Sequence, residues 1–227
     1  MKKKVKILLL IAIGVVLVMI QASCTPKFFR NKGMTPSGSV VVPRSNLLPA
    51  FDSLQESRYY TAQIDYKNNS MVGVLGMTEE TPGHYRMVMM TTFGMTLFDF
   101  TISKTEFIVN SCIEQMNKKM VLKILEKDFR SILMLNLKNK IKGVLYQVAH
   151  HKEAKDEETQ QIVTAGYQLK ADDGVANYLV VAKDGEWVRM IENGSSITRM
   201  SAVFNDDIVT IEHPKLGLKM VMTRMEN

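Results

Sequence analysis

The chain reads as an α+β protein: about nine to eleven short antiparallel strands make one curved sheet, a half-closed barrel. One long amphipathic helix lies over the sheet's apolar side. Three observations carry that reading. Apolar and polar residues alternate in short runs from Tyr59 onward. Asp-Gly and Asn-Gly pairs punctuate the C-terminal half, as tight hairpins require. A single stretch, Gln115 to about Leu135, changes to helical spacing.

The first 23 residues precede the fold. Met1-Lys2-Lys3-Lys4-Val5-Lys6 is a basic start, followed by an unbroken apolar block from Ile7 to Ile20. As a helix this block would be roughly 21 Å long, short of the ~30 Å hydrocarbon core. A charged start, a short apolar centre and small residues at the exit describe a secretory signal peptide over residues 1–23. Ala22-Ser23-Cys24 resembles the bacterial lipobox, whose cysteine is diacylated and becomes the mature N-terminus; Gln21 stands where an aliphatic residue is usual. The resemblance assigns lipid attachment to Cys24. An ordinary cleaved signal and an uncleaved anchor are the competing readings. Several acyl chains at ~0.8 kcal/mol per buried methylene anchor a protein firmly.

Removing the signal removes four lysines and no acid, leaving 25 basic against 23 acidic residues. Near-neutral charge takes away the main support for nucleic-acid binding. Cys112 is the one cysteine beyond Cys24, so no internal disulfide forms. The chain holds 17 methionines. Methionine is flexible and polarizable, and serves both core filling and surfaces that accept varied apolar partners.

Residues 24–44 contain Pro26, Gly33, Pro36, Gly38 and Pro43 with little periodicity, and read as a flexible tether. The folded domain is then 45–227. Ser45 caps a short helix to about Ser57, with Leu47, Leu48, Phe51 and Leu54 on one side. Tyr59 to Tyr66, Ser70 to Thr78, His84 to Thr91 and Met95 to Thr101 are four strands of a meander. In the helix that follows, Met116, Met120, Val121, Ile124, Leu125, Phe129 and Ile132 form an apolar stripe. Lysines and acids fill its other side, so it packs on the sheet or lies on a membrane surface. Val144 to Ala149 is a further strand, and Lys152 to Glu158 an exposed charged loop. The meander then resumes between turns at 172–174, 183–186, 192–195 and 205–207, ending on a strand from Leu216 to Thr223.

Catalytic patterns are missing from the sequence. His150-His151-Lys152-Glu153 sits in a charged loop without further ligands, and His213 precedes Pro214 at a turn. There is no nucleophile elbow, phosphate loop or dinucleotide fingerprint. Asp172-Asp173 and Asp206-Asp207 lie where turns favour aspartate. The reading is therefore not an enzyme, with no cofactor and no metal.

The segment GHYRMVMMTTFGMTLFDF, Gly83 to Phe100, carries a resemblance. Tyr85, Arg86, the run Met87 to Met90, Thr91, Phe93, Gly94 and Thr96 are similar to the corresponding hairpin of LolB-like outer-membrane lipoproteins, in the LolA/LolB lipoprotein-localisation superfamily. The flanking order agrees from about Tyr59 to Leu135. The resemblance implies an incomplete β-barrel capped by helices, with an apolar cavity for acyl chains. It places Phe93 where the family has an apolar residue that pushes incoming lipid into the membrane; Thr92 stands where a proline is usual. The cavity would be lined by Met87, Met89, Phe98, Phe100, Met220 and Met222. The expected partners are acyl chains or lipoprotein cargo, a soluble periplasmic carrier, and the membrane through the N-terminal lipid. Location would be the periplasmic face of the outer membrane, since Thr25 after Cys24 offers no acidic retention signal. The alternative is a scaffolding lipoprotein that docks a partner in an envelope complex with no lipid ligand and a tightly filled core.

Overall fold

The computed structural model describes residues 25–47, 56–148, 163–183, 186–193, 200–205 and 207–226. The signal segment with Cys24, most of the helix expected after Ser45, and the His150–Glu158 loop lie outside these residues. Of that helix, residues 45–47 and 56–57 are described, and a 3₁₀ turn spans Arg44–Asn46.

Among the described residues, thirteen strands form one antiparallel sheet. In chain order they are β1 (Met34–Pro43), β2 (Arg58–Tyr66), β3 (Asn69–Thr81), β4 (His84–Met90), β5 (Thr96–Ile102) and β6 (Phe107–Cys112), followed by helix α2 (Lys119–Ile132). Then come β7 (Lys140–Val148), β8 (Val163–Ala171), β9 (Gly174–Lys183), β10 (Glu186–Asn193), β11 (Met200–Asn205), β12 (Ile208–His213) and β13 (Leu218–Arg224). A one-turn helix α1, Lys27–Arg30, precedes β1. Across the sheet the order is β1-β7-β8-β9-β10-β11-β12-β13-β2-β3-β4-β5-β6, so the C-terminal meander inserts between β1 and the N-terminal one. The outermost strands, β1 and β6, are not paired with each other, and the sheet stays open.

Two strands correct the sequence reading. Residues 34–43, inside the expected tether, are β1, paired with β7. Pro36, Gly38 and Pro43 obscured it, but an edge strand tolerates proline because one side of its backbone has no ladder to complete. The register slips between Pro36 and Gly38, as a bulge there requires. The other is β6, which the sequence reading left unassigned; its side chains are half-buried or exposed, so no fully buried face marks it.

Inward-pointing residues alternate along the strands as the sequence requires: Tyr60, Ala62 and Ile64 on β2, Met87 and Met89 on β4, Val209 and Ile211 on β12. They merge into one core that also takes in Ile124, Leu125, Phe129 and Ile132 of α2. Phe98 and Phe100 stack with centroids 4.5 Å apart, and Phe129 leans on them at 6.1 and 6.5 Å. On the opposite face, Phe29 of α1 stacks on Tyr146 at 4.1 Å and covers Leu179. Gly166 makes room for it: a Cβ there would come within 2.8 Å of the Phe29 ring.

The sheet is strongly rolled. Strands β10 and β5 are seven positions apart in the order, roughly 34 Å if flat at ~4.8 Å per strand. Yet α2, about 21 Å long, reaches Phe98 on β5 with Phe129 and Asn193 on β10 with Ser131. Farther out, Lys104 in the β5–β6 turn pairs with Asp172 in the β8–β9 turn at 2.9 Å. Those contacts exist only because the sheet wraps around the helix.

Candidate functional site

Helix α2 meets the two halves of the sheet differently. Toward β5 its contacts are aromatic and dry. Toward β8–β13 they are polar: His213 of β12 bonds Asp128, and Asn193 of β10 bonds Ser131 at 3.2 Å. On this polar side helix and sheet stand apart, leaving a pocket of about 310 Å³. The helix contributes Met120, Lys123, Ile124, Lys127, Asp128 and Ser131, which recur at three and four residues and so share one side. The facing wall is Asp173 of the β8–β9 turn, Asn193, Met200 and His213.

Along the helix the lining grades from apolar to polar. Met120 is 56% exposed and Ile124 is buried, whereas Asp128 and Ser131 lie deep. Asp128 and His213 are 3% and 2% exposed, and Nε2 of the imidazole is 2.8 and 2.9 Å from the two carboxylate oxygens. One proton is shared along this contact, donated by Nε2–H to a carboxylate or by the carboxyl to Nε2. Nδ1 is buried and has no hydrogen-bond partner among the described residues. Burial pushes the Asp128 carboxyl above its usual range, and the His213 bond and the Lys127 charge offset this in part. Asp173 accepts from the amides of Asn136 and Asn193, each at 3.1 Å. Lys123 and Lys127 are exposed.

The second feature is the β4–β5 loop. Thr91 N–H donates to the Met95 carbonyl at 2.8 Å, Gly94 N–H to the Thr91 carbonyl at 3.0 Å, and Met95 N–H to Thr91 Oγ1 at 3.1 Å. Gly94 at φ +82° supplies the left-handed step the turn needs. The outcome is a held loop with Phe93 at its tip, 97% exposed. Met90 and Met95 flank it at 38% and 57% exposure. Val74 pairs with Met90, so Val72 lies alongside the loop, 57% exposed. Moving a phenylalanine ring from water into an apolar phase is worth roughly 1.5–3 kcal/mol. That is enough to bias a contact and too little to hold a protein on a membrane.

Among the residues singled out in the sequence, Phe93 is thus a free apolar tip and Cys24 lies outside the described residues. Met87, Met89, Phe98, Phe100, Met220 and Met222 are brought together, but as packed core. Five of them expose nothing, and Met220 4%, so no water-sized void lies against those five. None of the six lines the pocket under α2, and the expectation that they line a cavity is corrected accordingly. His84 is exposed at the start of β4, and His150 and His151 lie outside the described residues. Cys112 is half-buried, and burial pushes its thiol up.

Sequence reading passed over Asp128 and set His213 aside as a turn residue, whereas His213 is the buried last residue of β12. Both carried a signal: Asp128 sits four residues after Ile124 within the apolar stripe, and His213 takes the inward place after Val209 and Ile211. A polar residue on a face of that kind is buried with a partner.

Among the described residues, no cluster of three or more His, Cys, Asp or Glu side chains could hold a metal ion. No described helix is long and apolar enough to cross a membrane. No family model matches the chain, and no curated protein matches it.

Proposed function

We propose that this protein is a membrane-tethered carrier, anchored by lipid on Cys24, that takes acyl chains or other lipophilic cargo between α2 and the rolled sheet. In this reading the fold is an incomplete barrel with helices as its cap. Cargo passes on at the periplasmic face of an outer membrane, by affinity differences and without nucleotide or metal. The observation that carries the proposal is Phe93: a large aromatic held exposed at a loop tip, with Met90, Met95 and Val72 exposed near it. The likeness of Gly83–Phe100 to the LolB-like hairpin supports the same reading. So does an amphipathic helix set against a methionine-rich inner face, since methionines re-pack around varied apolar shapes. With the core filled as described, cargo enters where α2 and the sheet already part, beside Met120, Ile124 and Met200.

The filled core also favours a second reading, a scaffolding lipoprotein that docks an envelope partner and binds no lipid. Native mass spectrometry of the detergent-purified full chain separates the two: co-purifying acyl species support the carrier, and a bare protein supports the scaffold. Delivery tests the loop. A Phe93→Glu variant is expected to bind a fluorescent acyl probe normally and to lose most transfer to liposomes; unchanged transfer would remove Phe93 from the mechanism.

A further inference from the structure

The pocket beneath α2 carries charged and polar groups beside the apolar strip where cargo enters. Its ~310 Å³ equals the share of about ten waters, the scale of a headgroup rather than of paired fatty chains. Two carboxylates line it, the buried Asp128 beside His213 and Asp173 in the exposed β8–β9 turn. Such a group of acceptors is answered by a donor-rich cation, and a primary ammonium offers three N–H bonds. Lys123 and Lys127, exposed one helical turn apart, supply positive charge for an anionic group. Met120, Ile124 and Met200 offer an apolar strip beside these charges. Anion, ammonium and hydrocarbon together describe one class of ligand.

We infer that the pocket between α2 and strands β10 to β12 binds the headgroup of an aminophospholipid. Its phosphate lies at Lys123 and Lys127, its primary ammonium lies between Asp128 and Asp173, and the start of its chains lies on Met120, Ile124 and Met200. Ser131 and Asn193 hold the floor rigid through their mutual bond. The inference goes beyond the carrier reading and does not need it, because the headgroup is bound whether or not acyl chains are taken into the fold.

The test uses the full chain in an uncharged detergent and follows binding by calorimetry. Glycerophosphoethanolamine is expected to bind at least tenfold more tightly than glycerophosphocholine, whose quaternary ammonium has no N–H, and than glycerol phosphate or ethanolamine alone. Dihexanoyl phosphatidylethanolamine should bind tighter still, and Met120→Ala should remove part of that gain. Lys123→Glu with Lys127→Glu, both exposed and safe for folding, should lower affinity at least tenfold. Asp173→Asn should abolish the preference for ethanolamine over choline while leaving glycerol phosphate unchanged. Equal affinity for the two headgroups, no binding of either, or indifference to the lysine pair would overturn the assignment. Equal affinity for the soluble headgroup and the short-chain lipid would overturn its lipid origin. Acyl-probe uptake is read separately, so loss of one result leaves the other standing.

Discussion

At the scale of single residues, the Asp128–His213 pair makes the sharpest predictions. Replacing His213 with Ala leaves a carboxylate buried and unpaired, which costs on the order of 3–5 kcal/mol. Replacing Asp128 with Asn keeps an acceptor for Nε2 and should cost far less. The pair also has a pH signature. Because burial raises the Asp128 carboxyl above its usual 3.8, the native state holds that proton more tightly than the unfolded chain does. Its contribution to stability is therefore greatest in acid and declines as pH rises from the unfolded value through the raised one. Urea midpoints of the parent and Asp128→Asn, compared from pH ~4 to ~7, should diverge with that sign. The exposed Phe93 behaves oppositely: Phe93→Glu should leave the unfolding free energy within about 0.5 kcal/mol of the parent, measured by denaturant titration. A larger loss would mean that the ring packs on the fold.

At the scale of elements, α2 is held by its aromatic side. Phe129 is wholly buried against Phe98 and Phe100, and Phe129→Ala should cost about 3–5 kcal/mol. Strand β3 has its own constraint. Gly73 lies so close to β4 that a Cβ would run into the Met90 carbonyl oxygen, which is backbone and cannot swing aside. Gly73→Ala should therefore loosen the β3–β4 hairpin, seen as faster amide exchange around Met90 than around β12 and β13. Element by element, the alternating strands were readable: the four predicted between Tyr59 and Thr101 match β2 to β5 within about three residues. Gly-containing turns such as Asp172-Asp173-Gly174 also stand where hairpin chemistry placed them. The edges were not readable. In β1, prolines mask a strand that exists because β7 offers it a ladder, and that partner lies about a hundred residues away.

At the scale of the whole molecule, rolling of the sheet decides which elements meet. Lys104 and Asp172 close at 2.9 Å across strands that would be tens of ångströms apart in a flat sheet. The proposed lipid anchor on Cys24 makes the largest-scale prediction: Cys24→Ser should leave the domain folded and release it from membrane fractions, checked by fractionation and by loss of palmitate labelling. Retention of the variant on membranes would indicate an anchor other than lipid.

What the sequence determined by itself was local. The strand period, the turn residues, the amphipathic stripe of α2 and the apolar tip at Phe93 each arise from neighbours a few positions apart, where side-chain alternation and glycine conformations act directly. The tertiary structure alone decided that Met87, Met89, Phe98 and Phe100 form solid core and that Asp128 finds His213 across 85 residues. It also placed the open space on the polar flank of α2. Such pairings depend on how far the sheet curls around the helix, which sums small twists over thirteen strands and is written in no short segment of the chain.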